Sequence, residues 1–196
     1  TYRVGPLSRV TMCDNIPTPL ADKAREEFLA FDGGSAAGAT LGYHWARMIE
    51  MLHSAETIKD LLHDDDIVGH DLIATGQRQE RGVGVIEAPR GTLIHHYRVD
   101  ENDLVIRANL IVSTTHNNQA MNTAVREVAK QYLDGVEITE GLLNHIEIAI
   151  RAFDPCLSCA THALGQMPLE VAIVGADGTV LDEATRDHRG LTREAP

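Results

Sequence analysis

The chain has 196 residues, enough to bury a substantial core in one domain or slightly more. Its 29 acidic residues outnumber 17 basic ones, and the resulting net charge of −12 argues against nucleic acid or an anionic membrane surface as a partner. No apolar run approaches the roughly 20 residues a membrane span needs. Three cysteines, an odd number, do not describe a disulfide scaffold, so a reducing cytoplasm is the expected location.

Tyr2-Arg3-Val4-Gly5-Pro6 reads as mid-protein sequence, which makes the chain the expected C-terminal part of a longer one. Thr18-Pro19 predicts a capped helix from Pro19 to about Phe31, stopped by Gly33-Gly34. A second helix is predicted from about Ala39 to His63, with Leu41, Trp45, Met48, Leu52, Ala55, Ile58 and Leu62 in one apolar stripe. The character then turns to strand at Val83 to Ala88, broken by Pro89-Arg90-Gly91. Thr92 to Val99 and Leu104 to Ser113 follow as a hairpin around Asp100-Glu101-Asn102-Asp103.

Asn117-Asn118 can open another helix, carrying Met121, Val125, Val128 and Tyr132 on one face. Thr139 caps the last long helix, whose stripe is Leu142, Leu143, Ile146, Ala149 and Ile150. A second hairpin joins Leu169–Val174 to Thr179–Leu181 through a glycine-rich turn, and the polar end from Arg186 to Pro196 is expected to be mobile. The fold class is α+β with helices dominant.

The chemistry concentrates in Asp154-Pro155-Cys156-Leu157-Ser158-Cys159-Ala160-Thr161-His162. Two thiols three residues apart can chelate one soft metal ion, with the imidazole available to the same ion or a neighbour. Three other readings stand beside that one. A redox Cys-x-x-Cys normally opens a helix after a strand, whereas this pair follows a helix and a proline. A structural zinc site needs four closed ligands, and only Cys13 and scattered histidines are on hand. Two buried core cysteines would leave the flanking Asp, Pro and His without a purpose.

That stretch resembles the C-terminal signature of the large subunit of [NiFe]-hydrogenases. Two further blocks resemble the same family in the same order: Glu87-Ala88-Pro89-Arg90-Gly91-Thr92-Leu93-Ile94-His95-His96, and Ile111-Val112-Ser113-Thr114-Thr115-His116-Asn117-Asn118. The likeness continues through Tyr43-His44-Trp45-Ala46-Arg47 and Gly165-Gln166-Met167-Pro168-Leu169, and so covers nearly the whole chain. Ser113 and His116 stand where many members have proline and tryptophan. These departures fit the soluble group of NAD-reducing and F420-non-reducing enzymes.

The resemblance implies a mostly helical large-subunit fold with β-hairpins, present as a C-terminal fragment. It implies a nickel and an iron held by four thiolates, of which Cys156 would be a terminal nickel ligand and Cys159 a bridge. The other Cys-x-x-Cys pair of the family has no counterpart here, and Cys13 is expected to be structural. Arg90 would lie above the open position of the metals, with Asp154 as the carboxylate that holds its guanidinium. Pro89 and Thr114 would border the cyanide and carbon monoxide ligands of the iron, Thr114 as a hydrogen-bond donor. His162 would bind a structural magnesium or similar ion.

The same resemblance implies residues 1–162 as the large-subunit domain and 163–196 as an extension removed by a maturation endopeptidase after His162. The partners would be an iron–sulfur small subunit together with a diaphorase or heterodisulfide-reductase-type module, with electrons reaching NAD or another acceptor. A non-catalytic relative of the complex I type, or a zinc or thiol-redox module, stands as the alternative.

Overall fold

Prolines mark where the first two helices begin. In the computed structural model, which describes residues 2–135, 137–156, 169–187 and 190–192, α1 runs Pro6–Met12 and α2 runs Pro19–Ala30. Proline in the first turn gives up no helical hydrogen bond and arrives with φ near the helical value. The span of α2 agrees with the sequence pattern. The pattern does not announce α1, because seven residues are too few to display a helical period. Thr18 precedes α2 but does not cap it: its hydroxyl instead meets His53 Nδ1 at 2.9 Å. The Glu56 carboxylate supplies the cap, accepting from the N–H groups of Leu20 at 3.1 Å and Ala21 at 2.9 Å.

A tight helical turn at Phe31–Gly34 and the short α3, Ser35–Gly38, lead into α4, Gly42–Leu61. The predicted apolar stripe is not the face α4 buries. Gly42, Tyr43, Ala46 and Ile49 are buried, whereas Leu41, Met48, Ile58 and Leu62 are exposed. The reason is close approach. A Cβ on Gly42 would stand 2.1 Å from the Ala36 carbonyl oxygen, so the small residues decide which face meets its neighbours. Trp45 packs edge-on against Phe28 and Phe31, at 5.2 and 5.3 Å between ring centroids.

Next comes an antiparallel meander of β1 Arg81–Ala88, β2 Gly91–Val99 and β3 Val105–Ile111. Pro89 and Arg90 form the whole connection between β1 and β2, since Ala88 already pairs with Gly91. The predicted hairpin around residues 100–103 is present. The Asp100 carboxylate closes it by accepting from Asn102 N–H at 2.8 Å and Leu104 N–H at 3.0 Å. α5, Ser113–Tyr132, starts four residues before the predicted Asn117, so Ser113, expected to end the strand, opens the helix and Thr114 follows in its first turn.

The described residues form two compact units, one over 2–117 and one from Asn118 onward. In the second, Thr139 is the predicted N-cap of α6, Glu140–Ala152, accepting from Leu142 N–H at 3.2 Å. α6 buries Leu142, Leu143, Ile146 and Ala149 of its predicted stripe and leaves Ile150 half-buried. A second meander, β4 Leu169–Val174, β5 Val180–Asp187 and β6 Gly190–Thr192, packs Leu169, Val171, Ile173 and Leu191 against Ile138, Leu143 and Ala184.

Of the end expected to be mobile, residues 186–187 and 190–192 instead belong to strands. Arg186 is only 15% exposed, pairs with Glu147 and with Glu140 at 3.5 Å, and donates to Asn144. Polar residues look like a loose tail until the acidic face of α6 that receives them is known.

Candidate metal centre

Pro89 and Arg90 sit at the tip of the β1–β2 hairpin, and that tip is held from below by one side chain. Arg9, on α1, donates from Nε and Nη2 to the two carboxylate oxygens of Glu50, at 2.6 and 2.7 Å. Nη1 donates to Glu87 at 2.9 Å and to the Ala88 carbonyl at 3.0 Å, and Nη2 also donates to the Pro89 carbonyl at 2.9 Å. These bonds use all five donors of the guanidinium. Paired bonding with Glu50, working against burial and helped by Glu87, raises the Arg9 pKa above its ordinary value. Burial pushes the Glu87 carboxyl upward, but donors from Thr92 and Arg9 outweigh it and leave Glu87 below the usual glutamate pKa.

The Arg90 backbone is also gripped by the segment preceding α1. A Cβ on Gly5, whose φ is 101°, would lie 2.7 Å from the Arg90 carbonyl oxygen. One on Gly91, at φ 131°, would lie 2.5 Å from Val4 Cγ2. Both positions need glycine for conformation and for space. Val4 is fixed in turn: its N–H donates to Asn117 Oδ1 at 2.9 Å, and its carbonyl accepts from Asn117 Nδ2 and Tyr43 Oη, each at 3.2 Å. Residues 87–96 and 111–118, two separate blocks in the sequence, are thereby joined through Val4.

Thr114 is half-buried in the first turn of α5. Two residues on, His116 has a buried Nε2 with no hydrogen-bond partner among the described residues. Asp154 and Cys156 belong to the other unit, just past the end of α6, where Asp154 takes a left-handed φ of 49° and turns the chain toward an exposed Cys156. Cys159 and His162 lie outside the described residues. Cys13 suits its structural reading: it is half-buried, with Sγ 3.7 Å from the Val10 carbonyl. Among the described residues, no three His, Cys, Asp or Glu side chains gather closely enough to hold a metal ion. The donor chemistry nonetheless suits a soft metal, since an accessible thiol becomes a strong ligand once deprotonated.

Sequence pattern does not single out Arg9 or Glu50, and it places Asn117 and Tyr43 in motif blocks without showing that they support the Arg90 turn. A hollow of about 530 Å³ lined by Glu80, Arg81, His96, Arg98 and Arg107 lies toward the opposite end of the sheet from that turn.

The nickel-dependent hydrogenase family profile matches residues 1–162. The chain is 55% identical over 190 residues to the NAD-reducing hydrogenase HoxS subunit beta of Cupriavidus necator, covering 95% of this chain and 39% of that protein. It is 46% identical to a vhc F420-non-reducing hydrogenase polypeptide of Methanococcus voltae, covering 88% of this chain and 37% of that protein. A crystal structure of an NAD+-reducing [NiFe]-hydrogenase in the H₂-reduced state superposes with a TM-score of 0.76 at 65% identity, covering 82% of this chain and 36% of that one. The chain thus spans well under half the length of these relatives, and within that span it belongs to the nickel-dependent hydrogenase family.

Proposed function

We propose that this chain is the C-terminal part of the catalytic large subunit of a [NiFe]-hydrogenase, which as a whole catalyses H₂ ⇌ 2H⁺ + 2e⁻. Cys156 and Cys159 would hold the nickel and iron, and Pro89 and Thr114 would border the cyanide and carbon monoxide ligands of the iron. When bound, the centre supplies the cleavage of H₂ and takes up its electrons. The chain itself supplies a fixed cation and a proton acceptor. The Arg90 guanidinium stays charged at every physiological pH, and a preorganised cation stabilises developing negative charge without reorganising. Cys156 Sγ is the atom that takes the proton. Asp154 serves as the site's carboxylate.

The observation that carries this reading is the approach to Cys156. α6 ends, Asp154 reverses the chain at φ 49°, and the thiol emerges exposed. His162 would bind magnesium and residues 163–196 would be removed after it by a maturation endopeptidase. Electrons would pass to an iron–sulfur small subunit, then on through a diaphorase or heterodisulfide-reductase-type module. Similarity to an NAD-reducing relative supports NAD as the final acceptor. No helix among the described residues is long and apolar enough to cross a membrane.

The test is Cys156→Ser in the complete large subunit, matured and assembled with its partners. Nickel content should fall to background and H₂-dependent dye reduction should vanish. Full nickel and full activity in that variant would refute the reading, as would a wild-type protein that holds zinc and no nickel.

A further inference from the structure

We infer that Arg9 is a positioning residue for Arg90, an inference that rests on the catalytic reading of Arg90 given above. Arg9 lies 81 positions before Arg90 in sequence, on a helix that contributes none of the predicted ligands. Its five donors divide between two tasks. Two bind Glu50 on α4, which anchors the guanidinium to the helical layer. The other three bind the Glu87 side chain and the carbonyls of Ala88 and Pro89, the two residues immediately before Arg90.

A two-residue hairpin connection is the part of a sheet least restrained by its ladder, and Pro89 has no N–H to donate. The Arg9 clamp supplies the missing restraint at the peptide that sets the direction of the Arg90 side chain. Gly5 against the Arg90 carbonyl and Val4 against Gly91 close the other sides. Lysine cannot substitute at this position. Its ammonium offers three donors from one point, whereas the five acceptors here surround a planar fork. The anchoring pair is the better shielded part, at 27% exposure for Arg9 and 25% for Glu50, whereas Glu87 on the turn side is 49% exposed.

The consequence is a division of labour. Arg90 acts at the site, and Arg9 determines where Arg90 points. Small misplacements of a catalytic group cost about a hundredfold in rate per ångström. Loosening the turn should therefore depress turnover without weakening substrate binding.

The experiment compares Arg9→Lys, Glu50→Gln and Arg90→Lys in the complete, assembled holoenzyme. For Arg9→Lys we expect unchanged nickel content, and faster amide exchange confined to the peptide over residues 87–93. The kcat should fall about ten- to hundredfold while KM for H₂ stays within about twofold of wild type. Glu50→Gln leaves the carbonyl bonds in place and should show the same pattern more weakly, about two- to fivefold in kcat. It decides the matter if Arg9→Lys fails to assemble. Wild-type kcat in whichever variant assembles, or reduced kcat with unaltered exchange at 87–93, would overturn the positioning role. Arg90→Lys separates the two levels. If it retains wild-type kcat, the catalytic reading of Arg90 fails. If it is inactive while Arg9→Lys is unaffected, only the positioning role fails.

Discussion

Asn117 satisfies both backbone polar groups of Val4, accepting its N–H at 2.9 Å and donating to its carbonyl at 3.2 Å. Both partners are buried, so this side chain performs the pairing that a neighbouring strand would otherwise provide. It also fastens the start of α5 to the segment that supports the Arg90 turn.

Asn117→Ala should leave the Val4 N–H buried without an acceptor, while Tyr43 still serves the carbonyl. The expected cost is about 1–3 kcal/mol, the usual penalty for an orphaned buried donor. A lower thermal midpoint of the assembled protein, with faster amide exchange at residues 3–9, would bear this out. An unchanged midpoint would mean that water reaches Val4.

Gly91→Ala tests the close approach of the hairpin to Val4. The residue has φ 131°, and its new Cβ would lie 2.5 Å from Val4 Cγ2, a distance real Cβ atoms do not tolerate. Strained backbone alone costs about 1–3 kcal/mol, and the clash adds to it. Gly82→Ala on the same strand pair has nothing within 4 Å and no positive φ, so it should change stability by only about 0.5 kcal/mol. Chemical denaturation of the two variants side by side would check the contrast.

Arg186→Met should loosen the C-terminal sheet from α6. The arginine and Glu147 are only 15% and 19% exposed, but Glu147 keeps its second partner, Arg151 at 3.1 Å, so losing the Arg186 pair should cost about 1–2 kcal/mol. Limited proteolysis of the unprocessed chain should then cut within residues 174–187 at protease levels the parent survives. Glu140→Gln, at a 48%-exposed carboxylate 3.5 Å from Arg186, should behave like the parent.

The Glu56 cap on α2 predicts a pH dependence with a definite sign. Burial pushes this carboxyl up, but the Leu20 and Ala21 N–H donors, with Thr18 and His53, outweigh it and lower its pKa below the ordinary 4.5. A depressed folded-state pKa means that the cap contributes fully above that ordinary value. Its contribution is lost as the pH falls through the folded one. Glu56→Gln should therefore speed amide exchange at residues 18–24 at neutral pH, and the variant should converge with wild type in acid. A difference that persisted unchanged in acid would contradict the assignment.

Local pattern determined a good part of this protein. The Thr139 cap and the stripe Leu142, Leu143, Ile146 and Ala149 define α6, because capping and helical period act within a few residues of chain. The hairpin around Asp100–Asp103 is equally local, closed by its own aspartate. Three motif blocks sufficed to point to the family, since each is a short run of particular residue types. Tertiary structure decided the rest. α4 presents Tyr43, Ala46 and Ile49 to its neighbours and leaves the more apolar stripe outside, because close packing at Gly42 and Ala36 outweighs hydrophobic count. α5 begins at Ser113, early enough for Asn117 to reach Val4 across 113 residues of chain. Arg186 belongs to a packed sheet because α6 holds the carboxylates that receive it. The clamp of Arg9 on Glu50, Glu87 and the carbonyls before Arg90 joins residues 41 to 80 positions apart. A hydrogen bond needs only proximity of donor and acceptor in space, and no periodicity along the chain records which distant groups the fold will bring together.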